Sequence, residues 1–436
     1  MRRSTAGLLA ALLLTPPMAW TKPTPRPGSD QATRAHALQL IDEGRSTFRH
    51  DTFGDEAFWS GTLRLQKSIA GEAGGGVGPG VSPRTALAVG LKVDVEALPK
   101  ALIRQLKTGT VDLDDPATTV ALLGLDAVVG LQGTVGASGR LESVGMTCAL
   151  CHSTVDDVLG AGIGRRLDGW ANRDLDVGTI ISLSPDLSPV SDLLGVDDAT
   201  LRAVLAGWGP GKFDASVFID GKALRPDGAP AATVIPPAFG LAGVNLHTFT
   251  GWGSVPYWNA FVATLEMRGQ GTFVDARLAD PVQFPIAART GAFDVRPAVD
   301  LMTPKLPALH YYQLSLPAPT APPGSFDPAA AQRGQALFAG RGRCASCHVP
   351  PLYTEPGWNL HTPAEIGIDD FQAARSPEGR YRTTPLKGLW SHMKGGFYHD
   401  GRFADLASVV RHYDTAFGLG LTPQETADLV AFLLSL

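Results

Sequence analysis

The four cysteines of the chain fall into two copies of one pattern, Cys148-Ala-Leu-Cys151-His152 and Cys344-Ala-Ser-Cys347-His348. Two thiols three residues apart, with an imidazole directly after them, make the attachment signature of a c-type haem. The spacing has a chemical reason. Both thiols must reach the two vinyl groups of one porphyrin, and the adjoining imidazole must meet the iron from the same side. A Cys-x-x-Cys pair alone is also half of a zinc clip. Two complete matches with no cysteine left over predict instead two covalent haems, with His152 and His348 as proximal ligands.

What faces the other side of each iron decides between electron transfer and reaction with a small oxidant. The remaining histidines are His36, His50, His247, His310, His361, His392, His399 and His412. Around the second motif candidates crowd between residues 392 and 413, among them His392, Met393, His399 and His412. The first motif is poorer. His247 is the nearest plausible ligand and reads equally well as a core histidine, so the first iron is expected to be five-coordinate or loosely capped.

The elements that must position these groups are mainly helical. Apolar spacing and caps predict helices over 32–48, 97–106, 118–129 and 198–208, and one ending near Met267. Asp327-Pro328 is an N-cap with proline in the first helical position, leading a helix towards Cys344. Thr422-Pro-Gln-Glu425 is a capping box opening an amphipathic last helix. A helix before the motif and another at the end, packed on each other, is how a single-haem cytochrome c domain is built. The expected organisation is a signal peptide over 1–20, a linker over 21–30, an N-terminal haem domain over 31–316 with an insertion at about 185–250, and a C-terminal cytochrome c domain over 324–436. The fold class is thus mainly α, with two cytochrome c-type haem domains and long loops, as Gly 50 and Pro 34 in 436 residues suggest.

A net charge of −5 argues against a nucleic-acid partner. Arg2, Arg3, the apolar run Gly7–Leu14 and then Pro16, Pro17 and Ala19 read as an export signal too short to span a bilayer. No other stretch is long and apolar enough for a span. Haem attachment in bacteria occurs outside the cytoplasm, so the expected address is the periplasm.

At Cys344-Ala-Ser-Cys-His-Val-Pro-Pro-Leu-Tyr-Thr354, and again at Tyr381-Arg-Thr-Thr-Pro-Leu-Lys-Gly-Leu389 and Phe397-Tyr-His-Asp-Gly401, the chain resembles the bacterial di-haem cytochrome c peroxidases. It equally resembles their relative that matures methylamine dehydrogenase, and its longer insertions are similar to those of di-haem rubber oxygenases. The resemblance implies peroxide reduction at the first haem, with electrons relayed from the second. The donor would be a small soluble cytochrome or cupredoxin and the oxidant hydrogen peroxide or another small oxidant. In the peroxidases a methionine fourteen residues after the His-Asp-Gly histidine caps the second haem. Here Tyr413 stands there, as in the maturation enzyme, with His412 and His399 as competing ligands. The run Leu241–Trp252 is similar to the one preceding the family's inter-haem tryptophan, which nominates Trp252, with Trp258 in reserve. The family's distal glutamate points to Glu266, although its spacing from Trp252 is not the family's. A calcium ion between domains also belongs to the resembled peroxidases. The readings from other classes are a non-catalytic electron carrier and an oxygenase or protein-modifying oxidase.

Overall fold

A computed structural model describes residues 27–436. The expected signal over 1–20 lies outside them, and of the stretch expected as linker only 27–30 is described, as the start of the helix Pro27–His50. Helix dominates, and strands form five two-stranded pairs among the described residues. No described helix is long and apolar enough to cross a membrane.

Residues 40–436 form one compact unit, and the proline-rich joint at 317–323 lies within it. In its first half the end of the Pro27–His50 helix packs on the helix Leu306–Ser315. Gly44 makes this contact, since a Cβ there would sit 2.0 Å from the Ala308 carbonyl oxygen. Asp168 fastens the same corner by accepting from Arg49 Nε at 2.5 Å, Tyr312 Oη at 2.5 Å and Ser153 Oγ at 2.7 Å. The antiparallel strands Leu131–Val135 and Leu141–Met146 then lead directly into Cys148. Gly139, at φ +77°, allows the reversal between them.

The helix expected over 118–129 is shorter: Pro116–Leu123, after which Gly124 caps it and the chain turns into the strand pair. The helix at 198–208 is Asp198–Trp208, capped by Asp197 on Thr200 N. The one ending near Met267 is Val255–Phe261 continued by a π-helical turn, Val262–Glu266.

In the second half Asp327 accepts from Ala329 N and Ala330 N and starts the helix Pro328–Ala339. Thr422 and Glu425 close their capping box at the start of Pro423–Ser435. These two helices cross closely at Gly334, where a Cβ would lie 2.0 Å from the Asp428 carbonyl oxygen. Phe338 and Phe432 meet edge to face at 5.1 Å, and Arg333 Nη2 reaches Asp428 Oδ1 at 2.7 Å. Together with the helix Leu406–Phe417 they form the apolar cluster that holds Cys344.

Arg375 joins the halves. Fully buried, it donates Nε to Asp220 at 2.7 Å and lies 2.9 Å from Asp214.

Candidate functional site

The Pro328–Ala339 helix stops at Gly340. Arg343, at φ +55°, then turns the chain into the single turn Cys344–Ser346. His348 N closes on the Cys344 carbonyl at 2.9 Å, which sets both thiols and the imidazole on one short loop. His348 Nδ1 lies 3.1 Å from the carbonyl oxygen of Tyr353. Burial lowers its pKa to about 4, so the ring is neutral at physiological pH. A neutral imidazole that donates Nδ1–H to a carbonyl keeps its lone pair on Nε2.

Cys344, Cys347 and His348 open onto a cavity of about 520 Å³, inside the size range of cofactor sites. Apolar side chains such as Leu389, Val410, Leu429 and Leu433 form much of its wall. Tyr413 and His399 line the same space. Burial raises the Tyr413 hydroxyl above its ordinary pKa and lowers His399 to about 4. His399 stacks on Tyr381, centroids 5.2 Å apart. His412 is differently placed. Its Nε2 is 3.0 Å from the Ile366 carbonyl, and it is absent from the lining. The structure therefore brings Tyr413 and His399 to the second motif and turns His412 aside.

The first motif repeats the arrangement. After the strand pair, Cys148 and the turn Ala149–His152 bring up the second set of thiols, which burial raises to about 12. His152 Nδ1 lies 3.1 Å from the Pro236 carbonyl oxygen, and burial lowers the ring's pKa to about 4. Asn172 N and Gly169 N hold the Cys151 and His152 carbonyls at 2.9 and 2.8 Å. Pro236 also lines the cavity of the second motif, so the two sites share a wall.

Trp252 lies in an aromatic cluster with Trp258 (5.2 Å) and Phe261 (6.0 Å) and does not line the cavity. His247 is buried, with Nε2 3.1 Å from the Val244 carbonyl. Glu266 ends the π-helical turn whose Ala263, with the adjoining Met267, packs in the same cluster as Cys148. Neither of its carboxyl oxygens has a hydrogen-bond partner, and burial drives its pKa well up. A carboxyl in that setting carries a proton.

Several residues of the site escape sequence reasoning. Arg382 and Arg173 line the cavity from loops, with no motif around them to mark them. Trp170 and Trp390 meet edge to face at 5.4 Å, and Phe239, which also touches Trp170, lies 6.3 Å from His392 in the cavity wall. Only the His392 neighbourhood, rich in histidine and tyrosine, carried a signal.

No protein-family model matches the chain. It is 32% identical over 122 residues to the methylamine utilization protein MauG of Methylorubrum extorquens, covering 24% of this chain and 34% of that protein. It is 28% identical over 151 residues to cytochrome-c peroxidase IdrP1 of Denitromonas iodatirespirans, covering 25% of this chain and 40% of that protein. The chain thus matches 34% and 40% of the length of these curated relatives. Among solved structures, a MauG-like protein associated with microbial copper homeostasis aligns with TM-score 0.32 at 18% identity, covering 49% of this chain and 76% of that one. A variant of the diheme peroxidase BthA of Burkholderia thailandensis aligns with TM-score 0.28 at 18% identity, covering 78% and 88%. Those overlays are partial, and the assignment rests on the sequence matches and the two motifs. On that basis about a quarter of the chain is similar to bacterial di-haem cytochrome c peroxidases and MauG-type enzymes, in line with the resemblance carried by the two motifs.

Proposed function

We propose that this chain is a periplasmic di-haem c-type cytochrome that reduces peroxide at its first haem with electrons received through its second. The observation that carries the reading is the matched pair of imidazoles. His152 and His348 each follow two thiols, are half-buried and neutral, and have Nδ1 on a backbone carbonyl at 3.1 Å. That is the state in which Nε2 can bind a metal.

The residues fit a porphyrin. Two thiols, an imidazole and a largely apolar wall enclose the cavity at the second motif, and buried guanidinium nitrogens there lack partners. Cys344 and Cys347 would hold the second haem, with His348 and either Tyr413 or His399 as its candidate iron ligands. Cys148, Cys151 and His152 would hold the first. Bound haem supplies one-electron exchange and, at an iron with an open face, the reduction of peroxide.

Reducing one peroxide to two waters takes two electrons and two protons. The electrons would come one at a time from a small soluble cytochrome or cupredoxin. Glu266, buried with both carboxyl oxygens unpartnered and its pKa driven up by burial, would suit a general acid. Cytochrome c-type units over 31–316 and 324–436 would each carry one haem.

Low-temperature electron paramagnetic resonance, paired with peroxide-dependent oxidation of a reduced donor cytochrome, tests the reading. A high-spin ferric signal from one haem, in the oxidised or half-reduced protein, and peroxide turnover are expected. Two low-spin haems in both states, with no turnover, would make the chain an electron carrier instead.

A further inference from the structure

Two guanidiniums in the cavity wall lack the partner that buried arginines have elsewhere in this chain. Arg375 is enclosed by Asp214 and Asp220, and Arg166 lies 3.0 Å from Asp94. Arg382, by contrast, donates Nη1 to the Leu246 carbonyl, and its Nε is shielded from water without any partner. Arg173, 9% exposed, reaches only the Lys394 carbonyl, 3.3 Å from Nη1, and its Nε is likewise orphaned. Burial without a compensating acid draws both guanidiniums down to about 10.

The nearby acids are committed. Asp174, next to Arg173, binds Lys92 and Lys394 at 2.7 Å each. Glu355 accepts from His361, Asn359 and Thr383, and Glu365 closes a capping box with Thr362. A cation withdrawn from water without a counter-charge is costly. Whatever fills this cavity must therefore bring anions to it.

We propose that Arg382 and Arg173 are the carboxylate seats of the cavity, each binding a propionate of the porphyrin attached at Cys344 and Cys347. This rests on the haem reading above. A guanidinium is suited to it because its fork of N–H donors matches a carboxylate. Arg173 adds a consequence for the whole molecule. It follows Asn172, whose amide holds the Cys151 carbonyl at 2.9 Å, so the edge of the second haem is fastened to the backbone of the first motif.

The test uses holoprotein with Arg382→Gln, Arg173→Gln and the charge-keeping Arg382→Lys. Haem content by pyridine haemochrome comes first. Fewer than two haems per wild-type chain overturns the haem reading itself, whatever the arginines do. With two haems present, midpoint potentials are measured by spectroelectrochemistry together with redox-difference infrared spectra. Removing either cation leaves a propionate uncompensated. The second haem's potential then falls, or a protonated-carboxyl band appears as the propionate takes up a proton. Arg382→Lys returns both readouts towards wild type, which a merely space-filling role for the arginine would not produce. If Arg382→Gln fails to retain haem, Arg173→Gln and Arg382→Lys decide. Wild-type potentials and no carboxyl band in Arg173→Gln, or an Arg382→Lys protein as disturbed as Arg382→Gln, overturn the proposal.

Discussion

His152 and Pro236 are joined by a 3.1 Å contact from Nδ1 to a carbonyl oxygen, across eighty-four residues of sequence. The contact selects the imidazole tautomer that leaves Nε2 free. It also spends the carbonyl of a residue whose ring forms part of the cavity beside the other motif. One backbone position therefore serves both sites, orienting a ligand at the first and walling the second. His348 reaches the same tautomer by a local route, through Tyr353 only five residues on. The first site thus depends on a segment eighty-four residues away folding into place, whereas the second is assembled within its own loop.

Tyr413 is expected to control the second haem. An anionic oxygen ligand favours ferric iron, so Tyr413→Phe should raise that haem's midpoint potential by on the order of 0.1 V, a modest part of the ~0.8 V range that axial ligands span. His412→Ala should leave spectrum and potential unchanged, because Nε2 is engaged with the Ile366 carbonyl away from the cavity. Optical titration of both variants checks this. A shift in His412→Ala with none in Tyr413→Phe would reverse the ranking.

Asp55 should make stability fall with rising pH. It is fully buried, and burial lifts its carboxyl to about 9 although both oxygens accept from Met146 N at 3.1–3.2 Å. Gly145 permits that approach, since a Cβ there would lie 2.5 Å from Asp55 Oδ1. Between the unfolded pKa near ~4 and the folded value, the native state holds a proton that the unfolded chain has lost. Stability then declines with pH by at most about 1.4 kcal/mol per unit from this group. Asp55→Asn keeps an acceptor for Met146 N and removes the titration. Its denaturation midpoints from pH 5 to 9 should be flatter than wild type and higher at the alkaline end.

How far these features could be read from the sequence depends on the range of the interaction behind them. Asp327 on Ala329 N and Thr422 with Glu425 are contacts two or three residues apart, and both helix starts lie where the residue types indicate. The Cys-x-x-Cys-His motifs are legible for the same reason. The helix expected to reach residue 129 ends at Leu123, because Gly124 and a reversal towards the strand pair override its apolar run. The carbonyls under His152, the partnerless guanidiniums of Arg173 and Arg382, and the Trp170–Trp390 contact have no local pattern. They exist only once segments more than eighty residues apart have met. Tyr413 stands between these cases. Its position was marked by resemblance, and folding brings it to the cavity wall with His348.

Arg375 should be the costliest single side chain to remove. Its loss leaves Asp214 and Asp220, both almost wholly buried, facing each other without a cation. Breaking a buried pair in this way costs roughly 3–5 kcal/mol. Arg375→Met should lower the denaturant midpoint accordingly, and adding Asp214→Asn and Asp220→Asn should recover much of it. A variant as stable as wild type would show that the triad is not enclosed.

Gly334 tests whether the second motif is held by the crossing of two helices. Alanine is the better helix former by about 1 kcal/mol, so an open site would be stabilised by Gly334→Ala. Here the added methyl would meet the Asp428 carbonyl oxygen at 2.0 Å and Phe432 Cβ at 2.8 Å, and backbone cannot rotate away as a side chain can. Overpacking of this kind typically costs ~1–3 kcal/mol, which outweighs the propensity gain at its upper end. The helices must then part, and Phe338 loses its 5.1 Å edge contact with Phe432 beside the thiol of Cys344. The expected result is a lower thermal midpoint with a perturbed visible spectrum from the second haem and an unchanged one from the first. Stabilisation instead would mean that the Pro328–Ala339 and Pro423–Ser435 helices do not approach this closely, and the positioning of Cys344 would need another cause.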